Sequence, residues 1–299
     1  MKYYLGIDGG GTRTTAAVCD ENGEIVLKVI GKTINFYSVG LESSRNNLDE
    51  IIKDIINILG NICFEAAFVG CSALDGEADN ETVSALCGGI INSRKTKMNS
   101  DVYVALKSVE AQACHCVAVC GTGSMAIGEN ANGKIVVKGG WGHIIGDEGS
   151  AYSIAVNALK RCCELSDEGV TNTLTKSAVD YFGVSDFRKA IDIIYSCDTT
   201  KDIIAGFAAY VGKNAENADA DSERIIISEA KSFSKTVICL LNELDDCSLL
   251  SLYGGVFQHN TLFRNTFSDE IKAVNPDIRI SLLDVPPEEG ALRIARKMQ

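Results

Sequence analysis

Five residues near the start of the chain, Asp8-Gly9-Gly10-Gly11-Thr12, are of the types that a phosphate-binding turn needs. Consecutive glycines can take left-handed or extended mirror conformations without steric cost. Having no Cβ atoms, they also let amide N–H groups converge closely on an anion. Thr12 adds a hydroxyl donor, and Asp8 stands where a carboxylate holds magnesium through water. Gly121-Thr122-Gly123-Ser124 repeats the chemistry later in the chain. Two such turns facing each other would cradle a nucleoside triphosphate, ATP above all, from both sides.

The elements around the two turns match. A strand at Tyr3–Ile7 runs into the first turn, a strand at Thr14–Cys19 follows, and an Asn22-Gly23 turn leads to a strand at Glu24–Ile30. Val117–Cys120, the second turn, Met125–Gly128, Asn132-Gly133 and Lys134–Lys138 repeat that order. Asn-Gly between alternating apolar residues is a strong hairpin signal. The repetition predicts an internal duplication, two related domains with one Gly-rich hairpin each. Elsewhere apolar residues recur at helical spacing, as in Leu48, Ile51, Ile52, Ile55, Ile56 and Leu59 before Gly60. Helices are expected at Ala151–Leu165, Ser222–Leu244 and Glu288–Met298, and strands at Glu65–Cys71, Leu249–Tyr253 and Ile278–Leu282. Strands alternating with helices give an α/β class.

Two better-known phosphate motifs are excluded. Gly128 to Lys134 nearly fits a P-loop, but Ile135 stands where the magnesium-binding hydroxyl belongs and no helix follows. A dinucleotide-binding turn must open a helix, whereas a strand follows Thr12.

Composition narrows the partners. The chain has 299 residues, 46% hydrophobic and 23% charged, as in an ordinary globular protein with room for two domains. A net charge of −12 suits neither a nucleic-acid backbone nor an anionic membrane. No long apolar run or signal-like start is present, so a cytoplasmic protein is expected. The twelve cysteines are scattered, mostly in apolar runs, and read as buried thiols. Cys114-His115-Cys116 is the one metal-like cluster. Adjacent residues of a strand point to opposite faces, and no second half-site of suitable spacing follows, so core thiols are the expectation there.

The Asp-Gly-Gly-Gly-Thr and Cys-Gly-Thr-Gly-Ser turns, with the block Gly139-Gly-Trp-Gly-His-Ile-Ile-Gly-Asp-Glu-Gly-Ser-Ala-Tyr152, resemble the N-acetylglucosamine kinases of the BadF/BadG/BcrA/BcrD ATPase family. The resemblance covers essentially the whole chain. It implies two ribonuclease-H-like, actin-like ATPase domains with an interdomain cleft, at 1–110 and 111–287, with the last helix (288–299) packing back on the first. It implies ATP and Mg2+ as cofactors, an amino sugar as substrate and a homodimer. Thr12 and Thr122 match positions touching ATP phosphates, and Ala205, Gly254 and Gly255 match positions around the nucleoside. Asn35, Gly140, Trp141, Gly142 and Asp147 match the sugar-binding residues, and Asp101 matches the catalytic base. This sequence departs from the family in having Asp-Val-Tyr at Asp101 and Phe36-Tyr37 after Asn35.

Other roles are open to several of these residues. Asp101 is also a fitting helix N-cap. Asp147 and Glu148 offer metal ligands, although a carboxylate accepting two sugar hydroxyls is the better use of Asp147. Trp141, the single tryptophan, fits core packing as well as a ligand loop, and His143 reads as structural. An ATP-driven activator of a dehydratase or benzoyl-CoA reductase type system shares this fold. It would need an iron–sulfur cluster on cysteines such as Cys120 and Cys162 or Cys163.

Overall fold

The structure is a computed structural model that describes residues 2–109, 114–244 and 247–298. The expected boundary at residues 110 and 111, and the end of the segment 102–113 that Asp101 is expected to cap, lie outside the described residues. The chain divides into two compact units, residues 1–112 with 283–299, and residues 113–282.

The first unit is a five-stranded mixed sheet. β1 (Tyr3–Gly9), β2 (Arg13–Asp20) and β3 (Ile25–Lys32) form an antiparallel meander, and β4 (Ala66–Cys71) and β5 (Thr96–Asn99) extend it in parallel on the other side of β1. At the β2–β3 turn, Asp20 Oδ1 accepts hydrogen bonds from the Asn22 and Glu24 amides, both at 2.9 Å, and Gly23 supplies the positive φ. Alternation along β1 splits the core between the two faces of the sheet. Leu5 and Ile7 pack with Leu48, Ile51, Ile52 and Ile55 of α2 (Leu41–Leu59), which follows the short α1 (Phe36–Val39). Tyr4 packs on the other face with Ala291, Leu292 and Ala295 of the last helix. Between β4 and β5 lies α3 (Asn80–Cys87), and α4 (Asp101–Ser108) follows β5.

The second unit repeats the plan. β6 (His115–Cys120), β7 (Ser124–Glu129) and β8 (Ile135–Gly139) are the meander, and β9 (Leu249–Tyr253) and β10 (Arg279–Leu282) the parallel extension. The strand order β8-β7-β6-β9-β10 is the counterpart of β3-β2-β1-β4-β5. The crossover from β8 to β9 is enlarged into α5 (Ala151–Asp167), α6 (Thr173–Phe182), α7 (Ala190–Ile194), α8 (Lys201–Glu216) and α9 (Ala220–Leu241). From β9 to β10 the chain passes through α10 (Gly255–His259) and α11 (Thr261–Val274), which place Phe257, Phe263 and Phe267 against Phe233 of α9. After β10 the chain returns to the first unit as α12 (Pro287–Lys297). No described helix is long and apolar enough to cross a membrane.

Three expectations change in detail. The helix expected at Ser222–Leu244 starts at Ala220 and ends at Leu241. Asp101 is not the N-cap of α4; Ser100 is, its Oγ accepting from the Tyr103 amide, and Asp101 is the first helical residue. None of Gly9, Gly10, Gly11, Gly121 or Gly123 uses a positive φ. Positive φ is used instead at Gly139, Gly140, Gly142, Gly149 and Gly254.

Candidate active site

In the first unit the Gly turn is laced to its surroundings. The Thr33 hydroxyl donates to the Gly10 carbonyl at 2.8 Å and accepts from the Asn35 amide at 3.0 Å. Asn35 Nδ2 donates to Ser72 Oγ at 2.9 Å, and the Ser72 amide donates to the Gly9 carbonyl at 2.8 Å. This ring ties the turn to Asn35 at the carboxyl ends of β1 and β4, the edge where open α/β sheets bind ligands. The Asn35 side-chain oxygen is engaged in capping α1, accepting from the Tyr37 and Ser38 amides. A ligand would therefore meet the second N–H of its amide group.

The glycines of this turn divide by role. A Cβ on Gly9 would lie 2.6 Å from Ile34 and 2.7 Å from the Gly70 carbonyl, so Gly9 is there for packing. A Cβ on Gly11 would meet nothing within 4 Å, so packing does not require a glycine there.

Asp8 and Asp101 are brought together from 93 positions apart (101 − 8). Asp8 pairs in register with Gly70 on β4, and Gly70 pairs on its other side with Asn99, two residues before Asp101. A Cβ on Gly70 would sit 3.4 Å from the Asp101 Cα. Burial first, and then the Asp101 and Glu288 carboxylates, push the Asp8 carboxyl well above its usual range, with Arg13 opposing. The Asp101 Oδ1 accepts from the Val102 amide at 2.8 Å, which orients the carboxylate at the first turn of α4.

In the second unit Gly121-Thr122-Gly123 closes the β6–β7 hairpin, with Cys120 opposite Ser124. The segment 147–151 braces this turn. Ser124 Oγ donates to the Glu148 carbonyl at 2.7 Å, the Ala151 amide to Gly121 at 2.8 Å, and the Cys120 thiol to Gly149 at 3.1 Å. Asp147 joins the turn to the Trp141 loop. Its Oδ1 accepts from the Gly142 amide at 3.2 Å, and its Oδ2 would touch a Cβ on Gly123 at 2.7 Å. It is buried and one of two described non-glycine residues with positive φ. Burial raises its carboxyl above the ordinary range, and Lys201, the Gly142 amide and His143 oppose the rise.

Gly254 joins the same region. It has a φ of 107°, and a Cβ there would strike the Cys120 carbonyl at 2.3 Å. At Gly255, the first residue of α10, a Cβ would meet only the His259 ring, at 3.9 Å. Gly140 packs under the Met125 side chain. Trp141 is 75% exposed, so core packing is not its role. Ala205 is buried within α8.

Sequence reasoning missed Thr33, Ser72 and Glu229. Glu229 is a buried carboxylate on α9 that accepts from the Gly149 amide at 2.7 Å and from Asn157 Nδ2 at 2.5 Å. The signal available for it was a charged residue inside the apolar face of a long helix, where burial demands partners.

Residues 5–295 match the family model described as the BadF/BadG/BcrA/BcrD ATPase family. The chain belongs to the BadF/BadG/BcrA/BcrD ATPase family. Among curated proteins, this family member is 28% identical to an N-acetylmuramic acid/N-acetylglucosamine kinase of Clostridium acetobutylicum, with 99% of each chain covered. It is 26% identical to an N-acetyl-D-glucosamine kinase of Dictyostelium discoideum, with 98% of each covered. Its fold is that of a candidate N-acetylglucosamine kinase structure from Chromobacterium violaceum, at a TM-score of 0.80, 18% identity and 99% coverage of both chains.

Proposed function

We propose that the protein is an ATP-dependent kinase that phosphorylates a hydroxyl of an amino sugar, N-acetylglucosamine or a close relative such as N-acetylmuramic acid or glucosamine. The observation that carries the reading is the carboxylate of Asp101 beside Asp8 at the sheet edge that bears the Gly9–Thr12 turn. The full-length similarity to two kinases of that substrate class supports it.

Phosphoryl transfer depends on positioning and charge stabilisation more than on covalent help. Asp101 accepts the proton of the attacking sugar hydroxyl as its oxygen bonds to the terminal phosphorus and ADP leaves. The amides of Gly10 to Thr12 and of Gly121 to Gly123, with the Thr12 and Thr122 hydroxyls, donate to phosphate oxygens. Asn35, Asp147, Gly140, Trp141 and Gly142 bind the sugar, while Ala205, Gly254 and Gly255 border the nucleoside.

The Asp8 site fits magnesium on its own electrostatics. A carboxyl raised by burial and by two acidic neighbours is a donor that a dication stabilises in its charged form. Magnesium held by Asp8 would neutralise phosphate charge. A homodimer in the cytoplasm completes the proposal.

An ADP-release assay over N-acetylglucosamine, N-acetylmuramic acid, glucosamine and glucose tests the reading. ADP release that rises with at least one amino sugar is expected, and none above the blank with any of them would end it. The activator alternative is not favoured, because the Cys120 thiol is buried against Gly149 and braces a turn instead of facing outward.

A further inference from the structure

The Cys114-His115-Cys116 run has no part in the reaction above, yet the fold supplies the partner that its spacing lacks. Cys114 and Cys116 lie two residues apart across the start of β6, on one face of the sheet, and both are buried. Cys247, just ahead of β9, is buried against them, and its Sγ lies 3.4 Å from the Cys116 Sγ. A disulfide has its sulfurs about 2.0 Å apart, so the two sulfurs have to close up on each other to form one; Cys116 itself pairs with Leu250 of β9, and Cys247 lies three residues before that partner. The three thiols sit at the starts of β6 and β9, while the Gly121 turn and Gly254 sit at the ends of those strands.

We propose that Cys116 and Cys247 are an oxidisable thiol pair, converted by a hydroperoxide into an intramolecular disulfide. The division of labour follows from the surroundings. The Cys116 thiol hydrogen-bonded to Cys247 holds the Cys247 group below the ordinary thiol range; burial opposes this, and the Leu249 backbone and Cys114 add to it. Cys116 is pushed the other way by the same hydrogen bond and by burial. Cys247 is also the less deeply buried of the two, so its sulfur is the one that a peroxide meets first.

Its sulfur attacks one peroxide oxygen, the O–O bond breaks, and Cys247 becomes a sulfenic acid with release of hydroxide. The Cys116 sulfur then attacks the Cys247 sulfur. The S–S bond forms, the S–O bond breaks, and the departing hydroxide leaves as water with the Cys116 proton. Two thiols lose two electrons and two protons, and the peroxide is reduced to two waters.

The test is made on the full chain, purified reduced, treated with hydrogen peroxide, denatured, alkylated and digested for mass spectrometry. A peptide joining the Cys114–Cys120 segment to the Cys247 segment is expected, two hydrogens lighter than its reduced parts and released by dithiothreitol. Fragmentation should place the bond at Cys116, and Cys114→Ala should retain the cross-link. The proposal is overturned if both cysteines are recovered alkylated while the exposed Cys63, Cys163, Cys197 and Cys239 are oxidised. It is equally overturned if fragmentation places the bond at Cys114. Neither outcome depends on which substrate the protein phosphorylates.

Discussion

Asp8 and Asp101 flank Gly70 at the carboxyl edge of the first sheet, one in register beside it and the other 3.4 Å from where its Cβ would stand. α12 secures the arrangement from behind. Its Gly290 lies so close to α4 that a Cβ would strike the Val104 carbonyl at 2.3 Å and the Ser108 amide at 2.8 Å. A glycine on each side, 70 in the sheet and 290 in the last helix, lets α4 seat deeply enough to bring Asp101 to Asp8.

For Asp101→Asn, turnover should fall about 10²–10⁴-fold, the usual contribution of a positioned proton acceptor. The amide keeps the shape of the carboxylate, so ATP and sugar should still bind. Steady-state ADP release together with calorimetric titration of each ligand separates the two. Retained turnover would remove Asp101 as base.

Asp8→Asn should abolish turnover and at the same time stabilise the ligand-free protein at neutral pH. The folded state raises the Asp8 carboxyl well above 3.8 and so binds its proton more tightly than the unfolded chain does. Its contribution is favourable at low pH and is lost as pH rises from the ordinary carboxylate range through the raised value. The melting temperature of the variant, relative to the parent, should thus be higher at pH 7 than at pH 4, by about 2–4 °C for each kcal/mol relieved. A difference that does not grow with pH would contradict the burial argument.

The glycines of the first turn should separate in experiment. Gly9→Ala forces a methyl against Ile34 and the Gly70 carbonyl, and overpacking of this kind costs about 1–3 kcal/mol. Gly11→Ala meets nothing, so it should fold with unchanged stability and raise the KM for ATP. Chemical denaturation and ATP titration of the two variants, compared directly, distinguish packing from phosphate approach. Equal loss of stability in both would refute the division.

Glu229→Ala leaves the buried Gly149 amide without its acceptor, at a cost of about 1–3 kcal/mol. Gly149 adjoins both the Asp147 contact and the Gly121 brace, so the KM values for ATP and sugar should rise together. Glu229→Gln keeps an acceptor and should recover most of the stability in thermal unfolding. A variant that loses stability but keeps both KM values would confine Glu229 to a packing role.

The two Gly turns, the Asn-Gly hairpins and the repeated strand order were legible in the sequence, because each depends on residues within a few positions of one another. Backbone freedom at glycine and the period of an apolar strand are local properties, and they carried the α/β class and the duplication with them. What Gly9 does was not legible. Its φ is ordinary, and its need for a missing side chain comes from Ile34 and Gly70 across the fold.

The tertiary structure alone decided the pairings between distant segments: Asp8 with Asp101, Asn35 with Ser72, Glu229 with Gly149, and Cys116 with Cys247. Such contacts are set by strand register and by how closely helices seat on the sheet. A one-residue slip in register would turn Asp8 of β1 and Cys116 of β6 to the other faces of their sheets. The sequence by itself determined that this chain has two Gly-rich hairpin turns in a repeated strand order. Packing decided which carboxylate stands beside the first turn, because only the parallel placement of β1, β4 and β5 brings residues so far apart in the chain to one edge.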